Sequence, residues 1–250
     1  MPATKRRIEP HPAFAALFRD ARAALPGRDA PALGRLREAS FGRFTELGLP
    51  ATKAEEWKYT DIAKLANVPM GLAPAVDIRL DDVSAHFAGG PTARRLIFVN
   101  GHLRPQLSHA RGLPPCVTVR GLDEVLAAEP ERVAAAIGTP AGVERSFTAL
   151  NAAFSGSGAW IELADGVALE EPVQLLFLTV GQPTAVMTHP RCVVRLGRGS
   201  ALHLIETHAT LGEGHGLTNL VTQLELGAGA KLTHDRLQRL GIKLYVRRVF

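Results

Sequence analysis

The chain predicts a mainly β fold of stacked coils behind a helical N-terminal region. The first observation is a pattern, Leu-x-x-Gly-x-x-Leu, that recurs at Leu163–Leu169, Leu196–Leu202 and Leu226–Leu232. Its central glycines, Gly166, Gly199 and Gly229, fall 33 and then 30 residues apart. The second is the alternation of apolar residues on either side, as in Val194-x-Leu196 and Leu202-x-Leu204, which is strand periodicity. Glycine reaches positive φ without a Cβ clash, so each copy reads as a tight corner between two strands. A repeat of this period indicates stacked coils, each burying its apolar face on the next, and such a stack favours a scaffold over a pocket enzyme.

The third observation is a change of character along the chain. Residues 1–75 read as a helical region: Phe14, Leu17, Phe18, Ala21 and Leu25 share one face, and Leu33, Leu36, Phe44 and Leu47 suggest another. Gly48 and Pro50 stop the second helix, and Pro69–Pro74 marks a loop. Residues 76–140 are mixed α/β. Arg95–Leu103 holds an apolar strand and the hairpin dipeptide Asn100-Gly101, while Leu122, Val125 and Leu126 and then Val133–Ile137 give short helical faces. Residues 141–241 are the stacked core, with apolar runs at 159–163, 173–178, 192–196, 201–205 and 220–226.

Bulk properties narrow the function. A net charge of +5 and a pI near 9.6 are moderate, and the basic residues are dispersed rather than striped with aromatics, which argues against nucleic-acid binding. Cys116 and Cys192 sit in unrelated contexts, so neither a disulfide framework nor a zinc knuckle is expected, and a reduced, cytoplasmic setting fits best. No apolar run approaches a membrane span. Gly212–Gly216 lacks the Lys-Ser/Thr ending of a phosphate loop, and Ser155–Gly158 is not a nucleophile elbow. Cys192 lies in an apolar strand and Cys116 follows two prolines in a loop, so neither has the setting of a reactive thiolate.

His203-Leu-Ile-Glu206-Thr-His208 is the densest group of potential metal ligands. On a strand Glu206 and His208 share one face and His203 takes the other, so the pair is half a site. His234 or His215 would have to arrive from another coil, because a metal centre needs three or four converging donors. Glu206, His208 and His234 are the candidates carried forward. Trp57 and Tyr59 read as aromatic anchors, with Thr60 or Asp61 capping a helix over 62–66. An alternative is a metal-binding, cupin-like β-barrel, although the His-x-His pair that it requires does not occur.

The run Lys53-Ala-Glu55-Glu-Trp57-Lys58-Tyr59-Thr60-Asp61 resembles the N-terminal signature of the SufB and SufD family of iron-sulfur cluster assembly proteins. Arg95–Leu103, Phe147–Phe154 and Gly166–Phe177 resemble the family, and SufD in particular, in order and spacing. The resemblance covers about residues 13–240. It implies a right-handed parallel β-helix core and a non-catalytic scaffold subunit of a SufBCD-type complex, whose ATPase is a SufC-like partner. It also implies a SufB-like partner, no stably bound cofactor, and iron or a transient cluster only at the level of the complex. The family's further coils, the histidine near its SufB contact and its SufC-binding helices have no counterpart after Gly241. The core is therefore expected to be incomplete and residues 242–250 a divergent tail. A truncated chain of this kind is expected to be impaired in assembly and to self-associate through its last coil.

Overall fold

The computed structural model describes residues 8–51, 57, 62, 65, 67–138 and 145–239, and the backbone of 244–249. Two helices open it, α1 (Ala13–Arg22) and α2 (Pro31–Leu47). Phe14, Phe18 and Ala21 are the buried face of α1. Proline at the first position starts α2, and Gly48 at φ 63° ends it. Shorter helices follow: α3 (Leu80–Ser84), α4 (Leu122–Ala128), α5 (Pro130–Ile137) and α6 (Ser146–Ala153). Helix thus continues well past the N-terminal region, and the fold is mixed α/β rather than mainly β.

The strands are β1 (Gly71–Leu72), β2 (Arg94–Val99), β3 (His102–Leu103), β4 (Val117–Gly121), β5 (Ser157–Leu163) and β6 (Val173–Val180). They continue with β7 (Val186–Thr188), β8 (Pro190–Leu196), β9 (Ala201–Leu211), β10 (Gly216–Leu226), β11 (Lys231–Arg239) and β12 (Leu244–Val249). Among the described residues they make two mostly parallel, open sheets. One runs β1-β7-β10-β8-β5-β4, with β12 also paired to β10, and the other runs β11-β9-β6-β2-β3. From β5 onward the chain passes from one sheet to the other and back. Among the described strands, only β2–β3 and β4–β5 pair antiparallel. The cupin-like barrel is therefore not formed, because β5 to β11 pair in parallel and the sheets do not close.

The repeated pattern marks the corners of this winding. Leu163, Leu196 and Leu226 lie in register on β5, β8 and β10. Gly166, Gly199 and Gly229 follow them with φ of 71°, 64° and 72°. Each corner bonds to the next, Gly166 N–H donating to Arg198 O at 2.7 Å and Gly199 N–H to Ala228 O at 3.0 Å. The later two corners need a second glycine two residues before the first: a Cβ at Gly197 would lie 2.5 Å from Asp165 N, and one at Gly227 2.7 Å from Arg198 N. The register also shows where the coils differ in length. The offset between paired residues is 33 at Ala168 and Ala201, 31 at Val173 and Leu204, and 30 at Val186 and Gly216.

Apolar residues of both sheets meet between them, among them Leu96, Phe98, Ile161, Leu175, Phe177, Cys192, Val194, Leu202 and Leu204. Phe98, Phe177 and His208 are register partners on β2, β6 and β9, and their rings stack at 4.9 Å and 5.2 Å. The helices form a second core against one sheet, where Phe14, Phe18, Phe44, Trp57, Phe147, Phe154, Met187 and Leu217 pack together. Buried polar groups fix this junction. Asn151 of α6 donates to Pro190 O at 2.8 Å and Asn219 O at 2.7 Å, and its Oδ1 accepts from Arg191 at 3.1 Å. Gln223 donates to Ala136 O at 2.9 Å, tying α5 to β10. No helix among the described residues is long and apolar enough to cross a membrane.

Candidate functional site

The inner face of β9 begins apolar and ends polar. Leu202 and Leu204 point into the core between the sheets, and the next two residues of the same parity are Glu206 and His208. Both are buried, Glu206 at 0% exposure and His208 at 2%. His208 Nε2 lies 2.9 Å from Glu206 Oε1, and Thr222 of β10 donates its hydroxyl to Glu206 Oε2 at 2.9 Å. The coil above supplies two further groups from β11. His234 Nε2 stands 3.5 Å from Glu206 Oε2, and Arg236, the register partner of Glu206, brings its Nε to 3.4 Å from Oε1.

The structure thus brings Glu206, His208 and His234 together. His203 lies on the opposite face, where its Nε2 meets Asp235 at 2.8 Å. His215 stays outside the cluster, in the turn before β10. Burial alone would raise the Glu206 carboxyl, but contacts from His208 and His234, helped by the Arg236 charge, outweigh it and hold the group well below the usual carboxylate range. Burial also lowers the Arg236 guanidinium, opposed by Glu206. Both carboxylate oxygens are engaged and a guanidinium occupies the approach. No group of three or more His, Cys, Asp or Glu placed to hold a metal ion occurs among the described residues.

Thr222 and Arg236 are the members that sequence reading missed. A signal for Arg236 was present: it lies 30 residues after Glu206, the spacing of the last two corners, and on the same strand face as His234.

The outer face of the first sheet carries a charged ladder. Glu162, Arg195 and Glu225 are register partners on β5, β8 and β10, with Arg195 Nη1 3.3 Å from Glu162 and its Nε 2.7 Å from Glu225. Arg132 of α5 adds a contact to Glu162 at 2.6 Å. Beside the ladder, at the corner edge, is a cleft of about 560 Å³ that includes exposed Cys116 and Asp165. Cys192 is buried in the core.

The two mostly parallel sheets and their helical cover match two consecutive family models. The first, described as the SufBD protein N-terminal region, covers residues 8–175. The chain belongs to the SufB/SufD family. A second match, to the SufBD core domain of the SUF system for FeS cluster assembly, covers residues 177–247. An iron-sulfur cluster assembly SufBD family protein of Synechocystis sp. is 27% identical over 225 residues, covering 87% of this chain and 50% of that protein. The chain therefore spans about half the length of the curated relative it matches.

Of the SufB/SufD signature, Trp57 is described. It is 7% exposed and stacks on Phe147 with ring centroids 5.2 Å apart. Lys53, Glu55, Lys58, Tyr59, Thr60 and Asp61 lie outside the described residues.

Proposed function

We propose that this chain is a SufD-like, non-catalytic scaffold subunit of a SufBCD-type complex that assembles iron-sulfur clusters in the cytoplasm. The observation that carries the reading is the order of the two family matches over coils whose corners and strands stack in register. We read those coils as part of a right-handed parallel β-helix. Parallel crossovers within a sheet are right-handed in about 98% of cases, and the chain makes such crossovers from β5 to β8 and from β6 to β9.

In this reading a SufB-like subunit and a SufC-like ATPase are the partners, and no resident cofactor is assigned to the chain. Iron or a transient cluster would be cargo of the complex. Glu206, His208 and His234 are the groups we assign to any contact with that cargo, and Arg236 would first have to leave Glu206. The test is co-expression with tagged SufB-like and SufC-like subunits. Co-elution with at least one of them is expected, and failure to associate with either overturns the reading.

A further inference from the structure

A cleft of about 400 Å³ lies between the end of α1, the loop that follows it and the first half of α2. Its charged lining is three arginines, Arg22, Arg28 and Arg37, and two carboxylates, Asp29 and Glu38, beside a wall of Phe18, Ala23 and Gly34. The lining thus carries one positive charge in excess. Both carboxylates are matched by the outer arginines: Arg22 Nη1 meets Glu38 Oε1 at 2.6 Å and Arg28 Nε meets Asp29 Oδ2 at 3.8 Å, all four side chains being exposed. The excess charge therefore sits on Arg37.

Arg37 is only 2% exposed. Its described partners are two main-chain carbonyls, both reached from one nitrogen: Nη2 donates to Pro26 O at 2.6 Å and to Ser155 O at 2.7 Å. Both protons of Nη2 are thereby used. Nε is enclosed without a hydrogen bond, the only such atom among the side chains that line the cleft. Nη1 makes no hydrogen bond to the described residues either, yet it is not sealed off, so it is the nitrogen through which the charge meets the cleft. Burial alone acts on the guanidinium, lowering its pKa to about 10, and the group stays charged at neutral pH. A buried cation is ordinarily matched by a counter-charge, because leaving it alone is costly. Here the described residues supply only carbonyl dipoles.

We propose that this cleft binds a small, singly charged carboxylate, one oxygen of which accepts from Arg37 Nη1 while Arg22 and Arg28 flank it. A single negative charge balances the lining, whereas a second would face Glu38 and Asp29. The volume is far larger than a bare ion needs, and Phe18, Ala23 and the arginine stems offer apolar surface to a short organic body. The inference does not depend on the assembly role proposed above.

The test titrates butyrate, its neutral isostere butyramide and dianionic succinate into the protein in chloride-free buffer, followed by ligand-observed NMR. Butyrate is expected to bind, butyramide to bind at least about tenfold more weakly because it lacks the charge-assisted bond, and succinate to bind more weakly than butyrate. Arg37→Met keeps a buried stem and removes the charge, so butyrate affinity should fall roughly tenfold or more. Glu38→Gln, on the exposed rim, guards against a folding defect in that variant: it should tighten butyrate and raise succinate relative to it, changes that misfolding does not produce. Absence of butyrate binding, butyramide or succinate binding as tightly as butyrate, full affinity in a folded Arg37→Met protein, or unchanged or weaker butyrate binding in Glu38→Gln overturns the proposal.

Discussion

Arg236 sits directly beside Glu206 on the neighbouring strand, its Nε 3.4 Å from a carboxylate that is wholly buried. Replacing Glu206 by Gln removes the charge that Arg236, His208 and His234 share. A buried pair broken from one side loses about 3 kcal/mol, because the remaining charge is left uncompensated. Urea unfolding of Glu206→Gln should show this loss, and adding Arg236→Met should recover part of it. A single variant as stable as the parent would show that the cluster is indifferent to its carboxylate.

Acid should act on the fold in two separate windows. Burial drives His189 from the usual histidine value of 6.5 to about 3, so between those values the unfolded chain binds the proton and the folded chain does not. Stability therefore falls as pH drops from 6.5, by up to about 1.4 kcal/mol per pH unit. Glu206 moves below its ordinary value, so its contribution is intact above the unfolded carboxylate range and is lost only below about pH 4. Between pH 6.5 and 4.5 the stability of His189→Phe should fall less steeply than that of the parent, with His86, also lowered by burial, keeping a smaller slope of the same sign.

The two glycines of one corner should answer differently to alanine. A Cβ at Gly199 meets nothing within 4 Å, so Gly199→Ala bears only the cost of φ 64°, about 1 to 2 kcal/mol. A Cβ at Gly197 lies 2.5 Å from the backbone of the coil below, so the coils must separate. Gly197→Ala should melt lower than Gly199→Ala, with a loss of about 2 kcal/mol or more. Thermal melts of the two proteins decide the order.

Asn151 holds α6 on the sheet through both protons of its amide and its oxygen. Asn151→Leu leaves Pro190 O, Asn219 O and an Arg191 nitrogen without that partner, at about 1 to 3 kcal/mol for each unmatched group. The expected result is a destabilised protein whose helical part unfolds before its strands. Hydrogen exchange of α6 against β8 and β10 measures it.

Much of the winding was legible because one corner was written three times: Leu163, Leu196 and Leu226 are both a sequence repeat and a strand register. Gly197 and Gly227 went unread because the first copy has Ala164 at that place, so the close approach of backbones leaves no mark common to all three. Alternation along β9 alone separates His203 from Glu206 and His208, and the need for a third donor points to a neighbouring coil, from which His234 arrives. Arg236 and Thr222 carry no metal-donor signature in the sequence, and a buried carboxylate is as readily matched by a cation or a hydroxyl as by a metal.

The shrinking register offset has a practical meaning for how such a chain tolerates change in length. The two residues that separate an offset of 33 from one of 31 are taken up between Ala168 and Val173, and the last surplus residue between Val180 and Val186. Insertions and deletions thus have natural berths in two loops, while the bend at each glycine stays fixed in size. A peptide tag or reporter spliced into 181–185 should be accommodated, whereas one extra residue beside Gly199 would turn every following side chain to the wrong face.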